Sequence, residues 1–230
     1  VLLFRAWLRG EPSPLKDSPL PAPPLDQIAG QDPVTDTPST DPAEALEALR
    51  LSFADCTRCE IAARRHNLVF GQGHPSARLM LIGEGPGEQE DLRGIAFCGP
   101  SGELLTKMLA AISLVRDEVY IANVIKCRPP NNRNPLPEEV ANCRGYLDAQ
   151  IDIIRPQIIA TLGSVAVKTL MGCTEGVTRL RGQTLEYRGI PVIPTFHPSF
   201  LLRDPSRKRD AWEDLKRIRR LLDELDHAVH

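Results

Sequence analysis

No stretch of this chain approaches the roughly 18 apolar residues that a membrane-crossing helix needs. The opening VLLFRAWLRG is too short, and too broken by Arg5 and Arg9, to read as a secretion signal. Both absences point to a cytoplasmic setting with no membrane partner, where thiols stay reduced. Six cysteines among 230 residues are also too sparse for a disulfide scaffold. The thiols are therefore expected to be metal ligands, nucleophiles or core residues. The chain has no internal repeat. Its glycine-rich turn at 83–91, GEGPGEQED, has neither the lysine of a phosphate-binding loop nor the G-x-G-x-x-G spacing of a dinucleotide site. Four carboxylates in that turn would repel a triphosphate.

Net charge is nearly absent as well, at −2, but the balance is uneven along the chain. Residues 11–47 carry eight acidic side chains against Lys16 alone, which leaves residues 48–230 at +3. Within 203–220 the local balance is +4. A mildly basic domain behind an acidic segment is compatible with a phosphate-backbone partner, although a charged helix face is the plainer explanation.

What is present is a proline-rich start followed by alternating apolar patterns. The first 42 residues hold nine of the 21 prolines and too few large apolar residues to offset chain entropy. Residues 1–42 are expected to form a flexible acidic tail whose partner the sequence does not name, and 43–230 the folded domain. Asp41-Pro42-Ala43-Glu44 is a helix-start signal, with Leu46, Leu49 and Phe53 at helical spacing behind it. The runs at 77–83, 119–125, 158–163 and 190–196 are continuously apolar and predict strands covered on both faces. Helical periodicity covers 103–112, 137–154, 164–171 and 209–225. Such alternation predicts an α/β fold with a parallel sheet between helices, its function at the carboxyl ends of the strands.

Those ends carry the unusual residues. The first strand runs into Glu84, Gly85, Glu88 and Glu90, a carboxylate-bearing turn suited to positioning water or stabilising positive charge. The plainer reading is an acidic solvated turn. The second ends at Asn123, whose amide can read the edge of a nucleobase, with Lys126, Arg128 and Arg133 near enough in sequence to hold phosphates. A capping Asn before a polar loop is the alternative. The fourth ends at His197, followed by Ser199, Leu201, Leu202 and Arg203. Apolar wedges beside cations are what a protein needs to enter a base stack. Phe97 lies in a glycine-bounded loop where it could stack on a planar ligand, or serve as core. Cys56 and Cys59 form a C-x2-C pair, and Cys127 and Cys143 follow far downstream. Four soft thiolates suit an iron–sulfur cluster or zinc. The remaining two, Cys98 and Cys173, read as core residues.

In order, GEGPGEQED, the F-x-G-x-x-G segment from Phe97, N-x-x-K-C-R-P-P-x-N-R from Asn123 and H-P-S-x-L-L-R from His197, together with the four cysteines, closely resemble the family 4, iron–sulfur class of uracil-DNA glycosylases. The resemblance spans about 54–226. It implies a three-layer αβα sandwich with a four-stranded parallel sheet, and a monomeric hydrolase that removes uracil from single- or double-stranded DNA. It also implies a [4Fe-4S] cluster on Cys56, Cys59, Cys127 and Cys143. By the same resemblance Phe97 stacks on the flipped base, Asn123 bonds its Watson–Crick edge, His197 donates to O2, and backbone N–H groups near Gly85 help bind the base. Glu84 is the favoured pocket carboxylate, with Glu88 or Glu90 positioning water. Leu201 and Leu202 would fill the gap left by the flipped nucleotide. The alternative left standing is an iron–sulfur DNA-binding or redox module without glycosylase activity.

Overall fold

The structure is a computed structural model that describes residues 41–227. The expected tail lies almost wholly outside the described residues. Helix α1 (Pro42–Ser52) begins where Asp41 Oδ1 accepts from Ala43 N at 2.9 Å and proline takes the first turn. Next come β1 (Gln72–Gly73), β2 (Leu79–Gly83), α2 (Glu88–Arg93), α3 (Pro100–Ala111), β3 (Tyr120–Asn123) and α4 (Pro137–Ile154). Then follow β4 (Ile158–Leu162), α5 (Ser164–Met171), α6 (Val177–Leu180), β5 (Leu185–Tyr187), β6 (Ile190–Thr195), α7 (Pro198–Arg203) and α8 (Lys208–His227).

The sheet has six strands in the order β1-β3-β2-β4-β6-β5. Its centre, β3-β2-β4-β6, is parallel, whereas β1 and β5 pair antiparallel at the two edges. The expected sheet of four parallel strands is thus corrected to a mixed sheet of six. The edge strands, two and three residues long and partly exposed, carry too little apolar alternation to stand out in sequence. Strands β2, β3 and β4 are buried on both faces, as is β6 from Val192 onward, which is why they read as unbroken apolar runs.

Alternation along those strands sends side chains into two cores. Leu79, Leu81, Ile121, Ala160 and Ile193 face one layer with Leu105 and Met108 of α3 and Leu215 and Ile218 of α8. Met80, Ile82, Ala122, Ile159 and Val192 face the other with Leu46 of α1, Leu147 and Ile151 of α4 and Leu170 of α5. The parallel order leaves the carboxyl ends of β2, β3, β4 and β6 at one edge of the sheet, and the cleft opens there.

Candidate active site

A cleft of about 570 Å3 sits at these carboxyl ends. It is lined by Glu84, Gly85, Glu88 and Glu90 after β2, Phe97 before α3, Asn123 at the end of β3, and His197, Ser199 and Arg203 after β6. Arg133 reaches it from the loop before α4. Residues separated by more than a hundred positions share one cavity because four parallel strands end side by side.

Glycines make the close approach feasible. A Cβ at Gly83 would stand 2.4 Å from Asn123 Oδ1 and 2.7 Å from Phe97 Cζ. At Gly102 it would overlap the Phe97 carbonyl oxygen at 1.7 Å. Phe97 itself has φ +51°, a left-handed conformation costly for an aromatic residue. Its neighbours hold it there. Glu90 Oε1 accepts from the backbone N–H groups of Cys98 and Gly99, both at 3.1 Å, and the Arg116 guanidinium donates to Ala96 O at 2.9 Å. The Phe97 ring lies 5.5 Å from the His197 ring.

His197 is half-buried and caps α7. Its Nδ1 accepts from the Ser199 backbone N–H at 3.1 Å and lies 2.8 Å from Ser199 Oγ. A backbone N–H can only donate, so Nδ1 is unprotonated and the neutral ring carries its proton on Nε2. Burial, with Arg203 nearby, lowers its pKa to about 4. The imidazole is therefore a neutral donor at neutral pH.

Asn123 is 1% exposed, and its Oδ1 has no hydrogen-bond partner in the structure. An orphaned buried acceptor costs roughly 1–3 kcal/mol, so the pocket is complementary to a ligand that brings an N–H. Glu84 is half-buried, and burial raises its pKa above the usual carboxylate range. Glu88 is exposed and pairs with Arg128 at 3.6 Å. Glu90, by contrast, is spent on the Phe97 loop.

Two of the expected DNA contacts are corrected. Lys126 is 1% exposed and donates to Asn123 O at 2.9 Å and Gln150 Oε1 at 2.5 Å, so it meets no phosphate. Leu201 is completely buried in the core, because the turn of α7 points it inward against the layer that holds α3. Leu202 beside it is 45% exposed and Arg203 is exposed at the cleft. Arg128 is half-buried and is not among the residues lining the cleft, its Nε donating to Asn132 Oδ1 at 2.8 Å. Arg133 is committed to a forked pair with Glu139 at 2.8 and 2.6 Å. Sequence reasoning also missed Gly163, Ser164, Val177 and Thr178, which line the same cleft. Their only signal was the Gly-Ser start of α5.

Cys56, Cys59, Cys127 and Cys143 all line a second, small cavity between α1, the Cys127 loop and α4. They are free thiols. Burial pushes the Cys127 thiol up to about 11, and Arg65 counters this by donating to its sulfur at 3.5 Å and to Cys56 O at 2.7 Å. Among the described residues no three His, Cys, Asp or Glu side chains are arranged to hold a single metal ion. As a donor set, four convergent thiols with cations beside them fit a thiolate-ligated cluster. Cys98 and Cys173 lie apart from this cavity and do not line it.

Comparison with known proteins bears on this geometry directly. The family model of the uracil DNA glycosylase superfamily matches residues 70–216. A Type-4 uracil-DNA glycosylase of Thermotoga maritima is 43% identical over 180 residues, covering 76% of this chain and 94% of the relative. One of Sulfurisphaera tokodaii is 43% identical over 187 residues, covering 77% and 85%. A DNA polymerase of Bacillus phage SP01 is 32% identical over 154 residues, 66% of this chain but 17% of the polymerase. With its cleft residues and cysteine quartet inside or beside the matched region, this chain belongs to the uracil-DNA glycosylase superfamily, among relatives of Type 4.

Proposed function

We propose that this protein flips uracil out of DNA and hydrolyses the bond joining the base to its sugar, leaving an abasic site for base excision repair. One observation carries the assignment to the cleft: the unpartnered Asn123 Oδ1 beside Phe97 and His197. Uracil offers N3–H to that oxygen and O4 to the same amide's N–H groups. Cytosine offers an unprotonated N3 and an amino group, so both polar groups of the amide would face their own kind. A buried polar site rejects such a mismatch strongly.

As the glycosidic bond stretches, the sugar gains positive charge and the base leaves as an anion. His197 Nε2–H, neutral and fixed by Ser199, donates to that anion at O2. An oriented donor in a water-excluded site is worth roughly 2.7–4 kcal/mol. Phe97 stacks on the ring, and backbone N–H groups near Gly85 meet its edge. Glu84 faces the cationic sugar, and Glu88 positions water when Arg128 turns to a phosphate. A loose, partly exposed ion pair of this kind contributes only about 0–1 kcal/mol and is readily exchanged. Arg128, Ser199 and Arg203 hold the backbone, and Leu202 enters the space the nucleotide leaves.

Cys56, Cys59, Cys127 and Cys143 would hold a [4Fe-4S] cluster, which when bound supplies a rigid tie between α1, the Cys127 loop and α4. We place the enzyme in the cytoplasm, acting as a monomer; among the described residues no helix is long and apolar enough to cross a membrane. A redox or DNA-binding module without catalysis leaves Asn123, His197 and the acidic loop unexplained. Incubation with a uracil-containing oligonucleotide followed by alkali tests the activity, and an uncut strand from iron-loaded protein refutes it. Asn123→Ala and His197→Ala should lower single-turnover excision far more than DNA affinity. Stoichiometric zinc without iron would overturn the cluster.

A further inference from the structure

Among the described residues, the buried cation Lys126 has no phosphate, carboxylate or solvent to answer to. Lys126 is 1% exposed, and its ammonium donates only to neutral oxygens, Asn123 O at 2.9 Å and Gln150 Oε1 at 2.5 Å. A buried charge held by neutral partners is expensive, and an apolar side chain of similar volume would be the cheaper filling. The geometry shows what the lysine does instead. Gln150, itself fully buried on α4, donates to Phe70 O at 2.8 Å and Tyr120 Oη at 3.2 Å. Tyr120 opens β3 and Asn123 closes it, so the Lys126–Gln150 pair grips both ends of that strand. Lys126 also lines the small cysteine cavity, beside its chain neighbour Cys127 and Cys143, which lies on the same helix as Gln150. A single residue therefore touches the carbonyl of the base-reading asparagine and the helix behind it, and lines the cavity of the four thiols.

We propose that Lys126 is a positioning residue for excision: its buried ammonium fixes the register of Asn123 against α4 and so links the cysteine site to the base-reading amide. The proposal rests on the reading of the cleft as a uracil pocket and of the cysteines as cluster ligands. It differs from the phosphate-binding role that the position of Lys126 in sequence suggests, and the two make opposite predictions.

The test compares wild type, Lys126→Met and Lys126→Arg as full-length chains matched for iron content. Single-turnover excision of uracil and the affinity for the same DNA with uracil replaced by thymine are measured across a salt series. Both variants should lose about 10- to 100-fold in excision, the rate equivalent of one or two charge-assisted hydrogen bonds. DNA affinity should stay within about twofold, with an unchanged salt slope. Lys126→Arg keeps the charge yet fails, because a planar guanidinium cannot reproduce the two bonds in a closed site. If Lys126→Met does not fold, Gln150→Leu carries the test, since it leaves the ammonium and removes one acceptor; the same split is expected at about 3- to 10-fold. Affinity falling with excision and a salt slope shallower by about 0.9, with Lys126→Arg restoring both, would return Lys126 to the phosphates. An active wild type with equally active variants overturns the Lys126 assignment alone. Uracil left intact by iron-loaded wild type overturns the functional reading beneath it.

Discussion

Adding one methyl group at Gly83 should silence the enzyme without unfolding it. The Cβ of Gly83→Ala would lie 2.4 Å from Asn123 Oδ1 and 2.7 Å from Phe97 Cζ, whereas ordinary contact begins at 3.4 Å. The amide must therefore retreat by about 1 Å, and the ring by about 0.7 Å. Displacements of about 1 Å at a reacting geometry cost on the order of 100-fold in rate. Overpacking of this kind costs roughly 1–3 kcal/mol in stability, which for a domain of this size lowers Tm by about 2–12 °C. The assay is single-turnover excision from a uracil oligonucleotide, beside thermal melting and affinity for uracil-free DNA. We expect excision down about 100-fold with affinity essentially unchanged, since Gly83 is buried at the end of β2 behind Asn123 and Phe97. Gly145→Ala is the control: it lies inside α4 with nothing within 4 Å of the added carbon. It should stabilise by about 0.5–1 kcal/mol and leave excision alone. Excision by Gly83→Ala at the wild-type rate in folded protein would refute the claim that Asn123 and Phe97 form the reading pocket.

Three further outcomes follow from the site. With its pKa lowered to about 4 by burial, His197 stays neutral well below the ordinary histidine range. The excision profile should therefore show no break near pH 6.5, and the stability this neutral ring contributes, complete above about 6.5, should fall progressively as pH drops from there and be gone below about 4; a histidine-dependent break in excision near 6.5 would contradict this. Glu90→Ala leaves the N–H groups of Cys98 and Gly99 unanswered. It should lower excision about 10- to 100-fold by releasing Phe97, whereas Glu90→Gln, which keeps an acceptor oxygen, should recover much of the loss; equal loss in both would instead assign Glu90 to the water. Leu201→Ala should cost about 2–5 kcal/mol of stability, seen in denaturant melts, while Leu202→Ala leaves stability within about 0.5 kcal/mol and slows excision from duplex more than from single strands.

Much of the frame was legible because burial writes a simple pattern. Continuous apolar runs marked β2, β3, β4 and β6 to within two residues of their ends, and the periodicities over 137–154 and 164–171 coincide with α4 and α5. The edge strands β1 and β5 were illegible, since two or three half-exposed residues carry no period. Helix α2 was hidden inside GEGPGEQED, where six residues are too few for an apolar stripe and glycine dominates the pattern. The site divides the same way. Asn123, His197 and Phe97 stood out as chemistry at strand ends, and the cleft contains all three. Lys126 and Leu201 were misplaced because both sit in motifs rich in exposed chemistry. Charge and polarity along a loop do not say which way each side chain turns.

The sequence alone determined the alternation of strands and helices, the four thiols and the types of functional group at each strand end, because these follow from local patterns of burial and from side-chain chemistry. Tertiary structure decided which of those groups meet and in what state. Only strands ending side by side could put Asn123 against Phe97 across Gly83, and only the backbone N–H of Ser199 could choose the His197 tautomer. Only the packing of α4 could turn Lys126 from solvent to the carbonyl of Asn123. Such contacts join positions far apart in the chain or depend on the path of a turn, and hydrogen bonding and desolvation act on distance in space.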